Sequence, residues 1–143
     1  MQRLFVWVTS LMIVALGVVA AAQTKVTTLE EHAAVMKANA QAAGPMNKAI
    51  ASGAYADAKT QLATLRQNYT ALQGFWANRK QDAAVAILKD GLSKLDALDK
   101  IISAPTVDQM AAQAAGKEFQ GTCGACHKQY REGDAQTGYK IKE

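Results

Sequence analysis

Cys123, Cys126 and His127 are the residues of this chain whose types and spacing point to one chemistry. They stand in the run Cys123-Gly124-Ala125-Cys126-His127. The pattern C-x-x-C-H is the attachment signature of a c-type haem. Two thiols at this spacing add across the two vinyl groups of a porphyrin, giving thioether bonds that make the cofactor permanent. The imidazole that follows offers the iron a proximal ligand. On a helix the three side chains fall at i, i+3 and i+4, hence on one face. Gly124 and Ala125 are small and leave room for a flat macrocycle against the backbone.

The chain holds two Cys and two His in 143 residues, so the cluster uses half of its histidine and all of its cysteine. Other uses of the motif fit less well. A thioredoxin-like redox pair wants a βαβ setting, and no stretch here reads as a strand. A zinc site needs a fourth ligand and usually a second cluster, which the sequence lacks. A structural disulfide leaves the adjacent histidine unexplained.

The elements that must position this cluster are helices. Thr28-Leu29-Glu30-Glu31 matches a capping box. From it Leu29, His32, Met36, Asn39, Ala43, Met46 and Ile50 recur at alternating steps of three and four, a bundle-facing seam. Gly44-Pro45 should bend or restart this first helix, and Ser52-Gly53 ends it. A second helix is expected from about Tyr55 to Phe75 or Trp76, with Leu62, Leu65, Tyr69, Leu72 and Trp76 inward. Ala77-Asn78-Arg79-Lys80 is its connection to a third, from about Asp82 to Ile102, which turns Val85, Leu88, Leu92, Leu95, Leu98 and Ile102 inward. Pro105 breaks the chain, and Thr106-Val107-Asp108-Gln109 reads as a second capping box. The fourth helix buries Ala112, Ala115, Phe119, Cys123, Cys126 and Tyr130, so the attachment face is also the core face. Gly133 stops it near Arg131-Glu132, and Asp134 to Glu143 is expected to be a loosely held tail gripped by Tyr139 and Ile141.

Ahead of the helices, Met1 to Ala22 reads as a cleaved export signal. Arg3 precedes an apolar run, and Ala20-Ala21-Ala22 offers a small-residue cleavage site. Residues 23–143 then form one domain with one modest core. The formal net charge of +4 is diffuse, without a basic block or aromatic interleaving, which argues against nucleic acid. Removal of the leader also leaves nothing to hold the chain in a membrane.

Four amphipathic helices with short connections make an all-α, antiparallel up-down-up-down four-helix bundle. A leader, four helices and C-x-x-C-H on the last helix resemble the cytochrome c′ family. The run Cys123-Gly124-Ala125-Cys126-His127-Lys128-Gln129-Tyr130-Arg131 is similar to that family's C-x-x-C-H-x-x-Y-R ending. Mitochondrial-type cytochromes c carry the motif near the other end. The resemblance implies one covalent haem c (iron), held through Cys123 and Cys126, in a periplasmic protein. It also implies a first-helix residue over the distal face: methionine bound to iron in low-spin members, a bulky non-ligand in five-coordinate ones. Met36-Lys37-Ala38-Asn39 is similar to the methionine version, so His127 and Met36 are the implied metal ligands. The chain departs from many relatives in having His32 where they have arginine, and in a shorter loop after helix one. Relatives commonly dimerise through the first two helices, so a homodimer belongs to the same expectation.

Met36, His32, Met46 or nothing could stand opposite His127. Met46 reads as core filler, and His32 as a hydrogen-bonded residue near a haem propionate or the helix start. Phe75 and Trp76 are expected to plug the end of the bundle far from the cofactor. Tyr130 and Arg131 belong beside it, and Lys128 and Arg131 could steer an acidic partner. The leading function is a periplasmic one-electron carrier serving redox partner proteins. The alternative is a five-coordinate protein that takes up nitric oxide or carbon monoxide at an open face. An enzyme with peroxidase-like chemistry ranks last, since His32 is its only candidate distal acid/base.

Overall fold

The computed structural model describes residues 25–142; the leader assigned to 1–22 lies outside the described residues. Helix α1 (Leu29–Ser52) starts from the capping box read in the sequence. Glu31 N donates to Thr28 Oγ1 at 3.1 Å, while Thr28 N and Thr27 N donate to Glu31 Oε2 at 3.0 and 2.7 Å. The helix runs through Pro45 without the expected restart. Pro45 is exposed and forfeits one backbone bond, and buried Ala42, Met46 and Ala49 on either side hold the helix to its neighbours. Gly53, in the left-handed region at φ 75°, ends it.

Helices α2 (Tyr55–Asn78), α3 (Asp82–Ile102) and α4 (Gln109–Tyr130) follow at the expected places. The cap of α4 differs: Asp108, not Thr106, accepts from Ala111 N at 3.0 Å. Gln109 becomes the first helical residue, and its Nε2 donates to Ala51 O at 2.7 Å, tying the start of α4 to the end of α1. Each helix packs on the next in chain order, and α1 closes the ring on α4 along a shorter seam. The result is an antiparallel up-down four-helix bundle. Among the described residues no helix is long and apolar enough to cross a membrane.

The core seam of α2 is as expected, with Leu62, Leu65, Tyr69, Leu72 and Trp76 all buried. At the start of α1, Leu29 is instead 60% exposed, and Val26, ahead of the helix, is buried in the core. Two glycines let helices approach closely. A Cβ on Gly91 of α3 would run into the Tyr69 ring and come within 3.2 Å of Thr122 Oγ1. One on Gly116 of α4 would meet Asn47 Oδ1 of α1 at 2.9 Å.

The tail is not loose. Strands β1 (Arg131–Glu132) and β2 (Lys140–Ile141) pair antiparallel, Arg131 opposite Ile141 and Glu132 opposite Lys140. The Asp134 carboxylate closes the turn by accepting from the Gln136 and Thr137 amides at 2.9 and 2.8 Å. Lys142 Nζ donates to Lys128 O at 3.0 Å, so the ribbon supplies a donor to the end of α4. Ile141 packs on the core and exposed Tyr139 lies under the Arg131 guanidinium.

Candidate haem site

Two contacts fix the level of α1 against α2. Asn68 Nδ2 donates to Asn39 Oδ1 at 2.9 Å, and the His32 ring stacks on Phe75 with centroids 4.5 Å apart. Seven residues separate the two contacts on either helix, so the pair runs antiparallel without slip and Met36 lies opposite Ala71. Two more contacts fix α4 against α2. The Tyr69 hydroxyl is 3.2 Å from Cys123 Sγ, and the Trp76 ring is 4.8 Å from Tyr130. Both pairs are 54 residues apart, so α2 and α4 run parallel in step and His127 is level with Gln73.

Met36 on α1 and His127 on α4 are therefore about two residue levels apart, on the order of 3 Å along the bundle. Helical side chains lean toward their own N-terminus. Because α1 and α4 run in opposite directions, Met36 and His127 lean toward a common level, whereas His32, one turn earlier on α1, leans past it. Met36 is half-buried and packs on the core, as does Cys123. Met46 is wholly buried, in keeping with a packing role.

Both cysteines are free thiols, half-buried on the inner face of α4. Burial first, then the neighbouring Cys123, pushes the Cys126 thiol up to about 11, so it is protonated at neutral pH. His127 is lowered from its ordinary value by burial and then by the Arg131 charge. It presents a neutral imidazole, the form a metal binds. Among the described residues no three His, Cys, Asp or Glu side chains group as a metal-ion site.

Two features of the site were not read from the sequence. Phe75 and Trp76 lie at the His127 end of the bundle, not the far end: Trp76 packs on Tyr130, three residues beyond His127, and Phe75 on His32. Thr122 is buried, its hydroxyl donating to Phe119 O at 2.6 Å while its oxygen meets the Tyr69 hydroxyl at 3.2 Å. His32 is buried, as its place on the seam implies, but the hydrogen bond expected of it is missing: among the described residues its Nε2 has no partner, and neither does Trp76 Nε1. Burial, then the charges of Arg79 and His127, lowers His32 to about 4 and keeps it neutral. The aromatic signal for Phe75 and Trp76 was visible, but their end of the bundle depends on helix level.

The residues present fit a c-type haem: two thiols and an imidazole at i, i+3 and i+4 of α4, with Met36 of α1 about two residue levels from the imidazole. Comparison with protein-family models, curated proteins and solved structures finds no match to this chain.

Proposed function

We propose that this chain is a periplasmic mono-haem c-type cytochrome of the cytochrome c′ kind that carries single electrons between redox partner proteins. Cys123 and Cys126 are its attachment points, His127 the proximal ligand and Met36 the distal one. The observation that carries the reading is the C-x-x-C-H triad on the inner face of α4, with Met36 of α1 about two residue levels from His127. The leader at 1–22 supports export, and the bundle is the fold the cytochrome c′ resemblance implies.

A bound haem supplies a one-electron Fe(III)/Fe(II) couple. The chain's own residues decide how that couple behaves. His127, kept neutral by burial, offers a nitrogen lone pair. Met36 offers a soft sulfur that favours the ferrous state and raises the potential. Phe75 and Trp76 are buried and keep water from this end of the core. With His127 and Met36 both as ligands, little would rearrange between oxidation states, which would suit a carrier more than a catalyst.

The test is a visible spectrum with a protein mass, after expression with haem-attachment machinery. The mass should exceed the leaderless chain by one haem, and acid-acetone should extract none. The ferric form should be low-spin with a weak methionine–iron band in the far red. A high-spin ferric form that takes up carbon monoxide quickly would favour the gas-binding alternative; a colourless protein with free thiols would end the haem reading.

A further inference from the structure

Two buried nitrogens at the His127 end of the bundle have no partner among the described residues: His32 Nε2 and Trp76 Nε1. His32 is 9% exposed and Trp76 2%. Their rings meet edge to face with centroids 5.6 Å apart, so both nitrogens belong to one small region between α1 and α2. A buried donor left unpaired costs about 1–3 kcal/mol. An indole N–H can only donate, so the missing partner is an acceptor.

The surroundings narrow its kind. The Arg79 guanidinium stands 3.6 Å over the Phe75 ring, and that ring stacks on His32. Arg79 donates only to its own helix, at Phe75 O, and among the described residues no carboxylate pairs with it. The region is thus positive, apolar-walled and without an anion of its own. A carboxylate answers all three conditions, since it accepts from both nitrogens and neutralises the arginine.

Position selects the carboxylate. Cys123 is level with Tyr69, and the His32–Trp76 pair sits near Tyr130, seven residues further along α4. That is about 10 Å along the bundle, the scale of a porphyrin. The propionates of a haem lie on the edge away from its vinyl groups.

We propose that His32 Nε2 and Trp76 Nε1 form a paired donor site for a haem propionate, with Arg79 at its mouth. The inference rests on the haem reading above and adds a role for two residues that neither bind the iron nor form thioethers. They hold the carboxylate, exclude water from it and offset its charge. Without them the carboxylate's negative field would favour Fe(III), so the potential would fall.

The experiment uses Trp76→Phe and His32→Phe, which keep an aromatic ring and lose the nitrogen, and His32→Gln, which returns an N–H donor. Protein mass, spin state, midpoint potential and the propionate-bending band in resonance Raman spectra are read for each. The expected result is one covalent haem throughout and unchanged spin state. The band should shift and the potential fall in both Phe variants, with recovery in His32→Gln. In the unaltered protein the Trp76 indole proton should exchange slowly with solvent. Haem-bearing Phe variants with an unmoved band and potential would overturn this inference alone. So would a spin-state change in His32→Phe, which would make His32 an iron ligand, or a freely exchanging Trp76 indole proton. A native protein without haem would instead overturn the functional reading and this inference with it.

Discussion

The Tyr69 hydroxyl of α2 lies 3.2 Å from both Cys123 Sγ and Thr122 Oγ1 of α4, reaching through the core to the first cysteine. Burial, and then Cys123, holds that phenol far above its ordinary range, so it remains protonated. Tyr69→Phe should cost about 1 kcal/mol, the net value of one hydrogen bond, measured by urea unfolding. Covalent haem should persist by mass. Loss of attachment would show that Tyr69 orders Cys123 for the reaction, beyond stabilising the fold.

Gly91 and Gly74 should respond to alanine in opposite directions. At Gly91 a Cβ meets the Tyr69 ring, and overpacking of this kind costs about 1–3 kcal/mol. At Gly74, exposed on α2, a Cβ meets nothing within 4 Å, so the gain in helix propensity should stabilise by about 0.5–1 kcal/mol. Paired thermal melts of the two variants read the contrast directly.

Met36→Ala should turn the ferric protein high-spin, speed carbon monoxide binding and lower the potential, with little change in helical circular dichroism. Met46→Ala is the control. Its side chain is 0% exposed, so truncation should cost about 2–5 kcal/mol and leave the visible spectrum alone. A spectrum indifferent to Met36→Ala in a low-spin protein would remove Met36 as ligand.

Glu31 gives a pH dependence of definite sign. Hydrogen bonds from the Thr27 and Thr28 backbone lower its pKa from 4.5 to about 2. A depressed carboxylate contributes stability that is fully present above pH 4.5 and is lost as pH falls through about 2. Glu31→Gln should therefore melt earlier than the parent at neutral pH, and the difference should shrink across that window to nothing below it.

Periodicity in apolar residues made α2 legible: Leu62, Leu65, Tyr69, Leu72 and Trp76 are large, evenly spaced and all buried. On α3, Leu88, Leu95, Leu98 and Ile102 are buried as expected, but Val85 and Leu92 are only half-buried beside buried Ala84 and Gly91. Where the apolar pattern has little bulk the reading weakened. Thr122, between Phe119 and Cys123, is buried because its hydroxyl bonds back to its own helix and meets Tyr69, which no residue count reveals. Leu29 looked like the first seam residue, yet Val26 fills that end of the core. The ribbon after Tyr130 depends on one aspartate turn and one lysine clasp, contacts that composition does not encode. The cluster itself was plain from spacing. That Phe75 and Trp76 share its end emerges only once helix levels are known.

The close approach at Gly116 has a mechanical consequence. The Gln109–Ala51 hydrogen bond pins α4 to α1 at one end, and Gly116 meets Asn47 next along the seam. Gly116 lies about 10 Å from that pin and His127 about 27 Å from it, at the rise of an α-helix. α4 is thus a lever with a fixed fulcrum, and any wedge at position 116 is magnified between two- and threefold at the imidazole. A single methyl group there, far from cysteine, histidine and methionine alike, would set how wide the bundle's jaw stands.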